Sequence, residues 1–183
     1  MKIRRALVAS LLLWLVTSPL MAALPGWFKD SFLHLDEELE NATAEGKRLV
    51  LYFHQEECPY CKRMLEVNFT QRDIEAKAQA QFHFIAINIW GDLEVTDLQG
   101  KVTSEKDFAH DQRVQFTPTL LFLDEQGRVT FRLNGYYPPE RFSALLDYSA
   151  QHPAPAGSFQ DFLAARAGPQ PSTELHQDPS YLP

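Results

Sequence analysis

The sequence predicts an α/β fold, with a central mixed β-sheet and helices on both faces. Three observations predict it. Residues 49–53 (LVLYF) form a short, wholly apolar run, the mark of a strand buried on both sides. A helical stretch and a second strand-like stretch follow, at residues 59–67 and 82–89. Residues 119–123 and 128–133 then flank the turn signal Asp124-Glu125-Gln126-Gly127, which reads as a β-hairpin. A strand–helix–strand opening joined to a hairpin and a closing helix requires a mixed sheet with helices packed on each face.

The elements follow in order. Residues 24–35 read as an N-terminal arm. Residues 36–47 are polar and helix-prone, with Asp36 as N-cap and Gly46 as the stop. Residues 54–57 form a loop after the first strand. Pro59 then occupies the first helical position, where its missing N–H and fixed φ suit a helix start. Residues 74–81 give a second helical piece. Residues 90–104 are polar and irregular, and residues 105–111 a short helix. Residues 139–148 carry Phe142, Leu145 and Leu146 at helical spacing behind Pro139.

Both ends differ from this middle. Lys2, Arg4 and Arg5 precede an apolar run at 6–16 broken only by Ser10, and small residues follow at Ala22 and Ala23. That layout is a secretory signal peptide over residues 1–23, with an uncleaved N-terminal membrane anchor as the alternative. The run falls short of the roughly 20 apolar residues of a membrane span. At the other end, six of the twelve prolines lie in residues 152–183. This part reads as a largely disordered tail, with one short helix at 158–166. The expected organisation is a leader at 1–23, one domain at 24–151 with its core at about 36–150, and the tail.

Charge narrows the partners. Without the leader the chain has 14 basic and 24 acidic residues, a net charge of about −10. That opposes binding to nucleic acid or to an anionic membrane surface. Trp27, Phe28 and Phe32 read as cover for a core edge rather than a partner site. Asn41 and Asn68 head glycosylation sequons, which carry meaning only in a secretory context that glycosylates.

Cysteine usage is the sharpest signal. The chain has two, Cys58 and Cys61, in Cys58-Pro59-Tyr60-Cys61 directly after the first strand. An exported chain with a single close cysteine pair uses it for chemistry. Positions i and i+3 in the first turn of a helix approach closely enough for a disulfide. The N-terminal cysteine faces unpaired backbone N–H groups and the positive end of the helix dipole, both of which favour thiolate. Cys58 is therefore the expected nucleophile and Cys61 the resolving thiol. Zinc is the competing use, but with His54 as the one nearby histidine the set is a ligand short, so no metal is expected. A purely structural disulfide is the other alternative; its very short loop would stabilise little.

These residues resemble the thioredoxin superfamily. LVLYFHQEECPYC, the later VQFTPTLLFLDEQGRV and NGYYPPERF look like that family's three signatures and span residues 36–150. The resemblance implies the thioredoxin fold and thiol–disulfide oxidoreductase activity. It also implies a cis Thr117–Pro118 bond, with Pro118 packed on the cysteine pair and the Thr117 backbone pairing with a substrate strand. Pro59, Tyr60, Thr117 and Pro118 are thus the supporting residues around Cys58 and Cys61. Within the superfamily, the leader, the Cys-Pro-Tyr-Cys motif and Gly135-Tyr136-Tyr137-Pro138-Pro139-Glu140 resemble exported bacterial thioredoxins of sulfur oxidation, the SoxW-like group. That group implies protein thiols and disulfides as substrates, a membrane electron donor and no small-molecule cofactor.

One departure stands out. Thioredoxins place a buried acid six residues before the first cysteine, and here Tyr52 holds that position. Glu56, Glu57, His54 or water would have to handle the proton. The expected function is an exported, periplasmic reductant of protein disulfides. An oxidant or isomerase, and a thioredoxin-fold binding module without turnover, are the alternatives.

Overall fold

The computed structural model describes residues 23–153 and 156–167. The expected leader lies almost wholly outside the described residues, as does the tail beyond residue 167. Among the described residues no helix is long and apolar enough to cross a membrane.

The chain builds α1 (Leu35–Ala44), β1 (Arg48–His54), α2 (Pro59–Arg63), a π-helical turn (Met64–Asn68), α3 (Arg72–Gln81) and β2 (Phe82–Asn88). It continues through β3 (Glu94–Thr96), β4 (Val102–Ser104), α4 (Glu105–Asp111), β5 (Thr119–Leu123) and β6 (Val129–Asn134). It closes with α5 (Pro139–Ser149) and α6 (Phe159–Ala167). The main sheet runs β2-β1-β5-β6. β1 is parallel to β2 and antiparallel to β5, and β5–β6 is the expected hairpin. The sheet is mixed and central, as its residues predict.

Strand alternation divides the interior into two cores, one on each face of the sheet. Val50, Tyr52, Phe84, Leu120 and Phe122 face Ile74 of α3 and Phe142, Leu145 and Leu146 of α5. Leu49, Leu51, Phe53, Ile85, Ile87, Leu121 and Leu123 face Leu35 and Ala42 of α1 and Phe108 of α4. All seven residues of β1 except His54 are buried, which is why this strand reads as an unbroken apolar run.

The structure corrects the sequence reading at several points. Asp36 is not the N-cap. The helix starts one residue earlier, His34 takes the cap position without a side-chain bond, and Asp36 joins Glu37 and Glu38 in the first turn, where the helix dipole favours them. Gly46 does end this helix, at φ 68°, which a Cβ would disfavour. Residues 90–104 are not irregular throughout: β3 and β4 form a two-stranded hairpin. Its turn is held by Asp97 Oδ1, which accepts from the N–H groups of Gln99 and Lys101. The motif helix changes to π geometry at Met64. The packed unit also extends past residue 151: Phe159 of α6 is buried against Phe131, Tyr137 and Tyr148.

Candidate functional site

The site lies at the end of the sheet where β1 stops. β1 delivers the chain to His54, and the loop Gln55–Glu57 turns it through a left-handed residue, Glu57 at φ 56°. Cys58 then caps α2 from an extended backbone conformation (φ −80°, ψ 111°). Its Sγ accepts a hydrogen bond from the Cys61 N–H at 3.0 Å. Cys58 and Cys61 are joined as a disulfide with Cα atoms 5.2 Å apart. Both are buried, whereas Tyr60 between them is 60% exposed.

The loop before β5 completes the site. Thr117 Oγ1 donates to Cys58 Sγ at 3.2 Å. The Thr117 carbonyl oxygen lies 3.4 Å from the same sulfur, where it can accept the proton of the reduced thiol. The Thr117–Pro118 bond is cis, and Pro118 is buried. Its carbonyl accepts from Gly135 N–H at 2.8 Å, and the Thr119 hydroxyl donates to the Phe116 carbonyl at 2.7 Å. Cys58 and Thr117, 59 residues apart, are thus brought into direct contact, with Pro59, Tyr60 and Pro118 as their chain neighbours. Among the described residues no cluster of three potential metal ligands exists.

Protons are handled differently from a site with a buried acid. Tyr52 is fully buried among Phe28, His54 and Phe69, and its hydroxyl has no partner among the described residues. Burial pushes the phenol above its ordinary range, so Tyr52 keeps its proton and cannot replace the acid. His54 stacks on Tyr52, and burial lowers its pKa against the opposing pull of Glu56. It is therefore neutral near pH 7 and able to accept a proton. Glu56 and Glu57 sit exposed in the loop before Cys58.

Sequence reasoning missed three features of this site. The Thr117 hydroxyl reaches the sulfur, where only its backbone was expected to act. Phe116, next to Thr117, and Trp90, bonded to Gln55 in the loop before Cys58, are exposed, 66% and 70% accessible. A Trp inside a polar loop and a Phe before Thr-Pro were the available signals.

Residues 35–150 match the thioredoxin-like domain. The chain belongs to the thioredoxin-like domain family. It is similar to anterior gradient protein 3 of Xenopus tropicalis, with 31% identity over 120 residues, 64% of this chain and 65% of that protein. The chain thus spans about 65% of the length of that curated relative. Among solved structures, a thioredoxin-fold protein from Helicobacter pylori matches at 23% identity and a TM-score of 0.54, over 66% of this chain and 80% of that one. A thioredoxin from Thermus thermophilus matches at 26% identity and a TM-score of 0.48, over 62% and 82%. The family match and the Helicobacter pylori structure give this thioredoxin-like protein the thioredoxin fold, and its CxxC pair is consistent with a thiol–disulfide oxidoreductase.

Proposed function

We propose that the protein is an exported thiol–disulfide oxidoreductase that reduces protein disulfides, with Cys58 as nucleophile and Cys61 as resolving thiol. The observation that carries this reading is the bonding of Cys58 Sγ. It accepts the Cys61 N–H and the Thr117 hydroxyl at once, two donors that favour thiolate over thiol. In the reduced protein the Cys58 thiolate attacks one sulfur of a client disulfide. A Cys58–client disulfide forms and the other client sulfur leaves as thiolate. Cys61, deprotonated, then attacks Cys58 Sγ, restores the Cys58–Cys61 disulfide and releases the second client thiol. Two electrons pass from the dithiol to the client.

Direction, location and partners belong to the same reading. Glu56 and Glu57 beside Cys58 disfavour its thiolate and so favour the reducing direction, opposing the two donors on Cys58 Sγ, which favour the oxidising one. The apolar run at 6–16 behind Lys2, Arg4 and Arg5 supports export to the periplasm. A reductant there needs recharging, for which a membrane electron donor is the proposed partner. The Cys-Pro-Tyr-Cys and Gly-Tyr-Tyr-Pro-Pro-Glu motifs support a place in the SoxW-like group of sulfur oxidation. The disulfide itself serves as redox centre, with no cofactor proposed.

Insulin reduction by dithiothreitol tests the catalytic claim. Wild type is expected to accelerate it, and Cys58→Ser to fall to the uncatalysed rate; equal rates for the two proteins refute the claim. A redox titration separates turnover from an inert bond. A potential between about −270 and −120 mV fits an exchanging pair, and one below about −300 mV a structural disulfide.

A further inference from the structure

We propose that the client is an extended polypeptide segment with a cationic and an apolar side chain beside its disulfide cysteine. Trp90 and Phe116 hold it from either side, and its cation faces Glu56 and Glu57. This rests on the redox reading above and specifies its substrate.

The walls follow from topology. β1 lies between β2 and β5, parallel to one and antiparallel to the other. The chain leaving β2, the chain leaving β1 and the chain entering β5 therefore meet at one end of the sheet, in that spatial order. Register confirms it: His54 pairs with Asn88, and Phe53 with Thr119. Cys58 follows the central strand. Trp90 lies two residues past Asn88 on one side, and Phe116 three residues before Thr119 on the other.

Trp90 is exposed yet held. Its indole N–H donates to Gln55 Oε1 at 3.0 Å, which ties the ring to the loop leading to Cys58. Its backbone N–H donates to Asn88 Oδ1 at 3.1 Å. The buried carboxylate of Glu105 accepts the Asn88 N–H at 2.8 Å, and the Glu105 and Lys106 N–H groups bond the carbonyls of Leu93 and Gly91. A large ring fixed in water loses little further freedom on binding, and such rings make strong recognition anchors.

Charge orients the client. Glu56 and Glu57 are exposed and have no ion-pair partner among the described residues. The neighbouring cations are engaged elsewhere: Lys62 lies 3.8 Å from Glu66, and the Arg63 guanidinium sits over the Tyr136 ring at 5.2 Å. On the Trp90 side Asp92 is paired with Lys106. The Phe116 side carries exposed Arg113 and the Arg132 guanidinium, which bonds the carbonyls of Gln112 and Arg113. The sign of charge thus changes across the site. A client cation is drawn to the carboxylates and the Trp90 face, and an apolar side chain to Phe116.

Two cyclic disulfide peptides test this, identical except for Lys or Glu beside one cysteine, with hydroxyethyl disulfide as a small reference. The pre-reduced full chain is mixed with each, and its oxidation is followed by alkylation and mass spectrometry. The Lys peptide is expected to react about tenfold faster than the Glu peptide at low salt, with the gap closing as salt rises. Glu56→Gln combined with Glu57→Gln should reduce the preference to about twofold. Trp90→Ala should lower the peptide-to-reference rate ratio about fivefold. Val129→Thr, at the opposite end of β6, should leave that ratio unchanged. Equal peptide rates at low salt, or a preference that survives loss of both carboxylates, overturn the client assignment. If the reduced protein also fails to reduce hydroxyethyl disulfide, the redox reading falls and this inference with it. If it reduces that reference but ignores peptide charge, only the client assignment falls.

Discussion

The two ends of the central sheet begin from the same strand and are finished in opposite ways. At one end β1 starts with Arg48, whose side chain is wholly buried. Its guanidinium donates to the Gln151 carbonyl, its Nε faces His152 Nε2 at 3.5 Å, and Glu125 lies 3.8 Å away and is paired with His152. Asp124 in the adjoining turn is also buried, and accepts from Arg128 Nε at 2.7 Å and from two backbone N–H groups. The chain following α5 closes this end. At the other end the polar groups converge on a sulfur atom, and Tyr60, Trp90 and Phe116 stand in water. A polar end sealed by its own chain serves stability. A polar end left uncovered and rimmed by aromatic rings is open to contact from outside, as the proposed exchange requires.

Substitutions at each end should separate these roles. The largest effect is expected from Arg48→Ala, which leaves Glu125 and the Gln151 carbonyl without their buried partner. Denaturant unfolding should show a loss of about 3 kcal/mol, near the lower end for a broken buried pair because Glu125 is partly exposed. Hydroxyethyl disulfide reduction by the molecules that remain folded should be unchanged. Thr117→Val at the open end should do the reverse. Loss of the hydroxyl on Cys58 Sγ should slow disulfide exchange about tenfold, while the unfolding midpoint barely moves. A variant at either end that moved both measurements equally would break the comparison.

A smaller effect, and of opposite sign, is expected beneath the open end. The Tyr52 hydroxyl is buried without a partner among the described residues, so Tyr52→Phe should stabilise the protein by about 1 kcal/mol. Calorimetry would show it as a raised Tm.

The smallest effects are in pH dependence, where the two ends should act in different windows. Burial holds His54 below its ordinary 6.5, so between its folded value and 6.5 the unfolded chain binds more protons. Stability should begin to fall as pH drops below 6.5, and His54→Asn should remove that slope. Glu125 is held below its ordinary 4.5, first by its own backbone N–H and then by Arg48 and His152. Its contribution is complete above 4.5 and is lost as pH falls through its folded value. Unfolding of Glu125→Gln at a series of acidic pH values should show that lower slope flattened.

The open end was largely legible in the sequence and the sealed end was not. The β1 run, the Asp-Glu-Gln-Gly turn and the cysteine spacing are local signals, each decided by residues a few positions apart. The resemblance to the thioredoxin superfamily then set the Thr117–Pro118 loop against the cysteine pair. Arg48 gives no such signal, because its partners Glu125, Gln151 and His152 lie far along the chain and nothing beside it marks a buried cation. The β3–β4 hairpin was missed because strands of three residues are too short to display alternation. Phe159 looked like part of a proline-rich tail, since its fit against Phe131 and Tyr148 depends on tertiary packing. At the site itself the close approach of Cys58 and Cys61 followed from their spacing, whereas the exposure of Trp90 came only from the fold.

Two of the three tryptophans, Trp27 and Trp90, give the protein a two-channel optical readout. Trp27 lies edge-on to Phe69 and Phe84, at centroid distances of 5.3 and 5.2 Å, half-buried against the aromatic half of the interior. Trp90 stands in solvent and is tethered to the loop that leads into the disulfide. Emission from the first indole should be blue-shifted and follow unfolding. Emission from the second should be red-shifted and respond to iodide and to the oxidation state of Cys58. With Trp14→Phe as the background, and Trp90→Phe and Trp27→Phe added to it as spectral blanks, a single fluorimeter cuvette can follow folding and electron transfer in the same sample without an added dye.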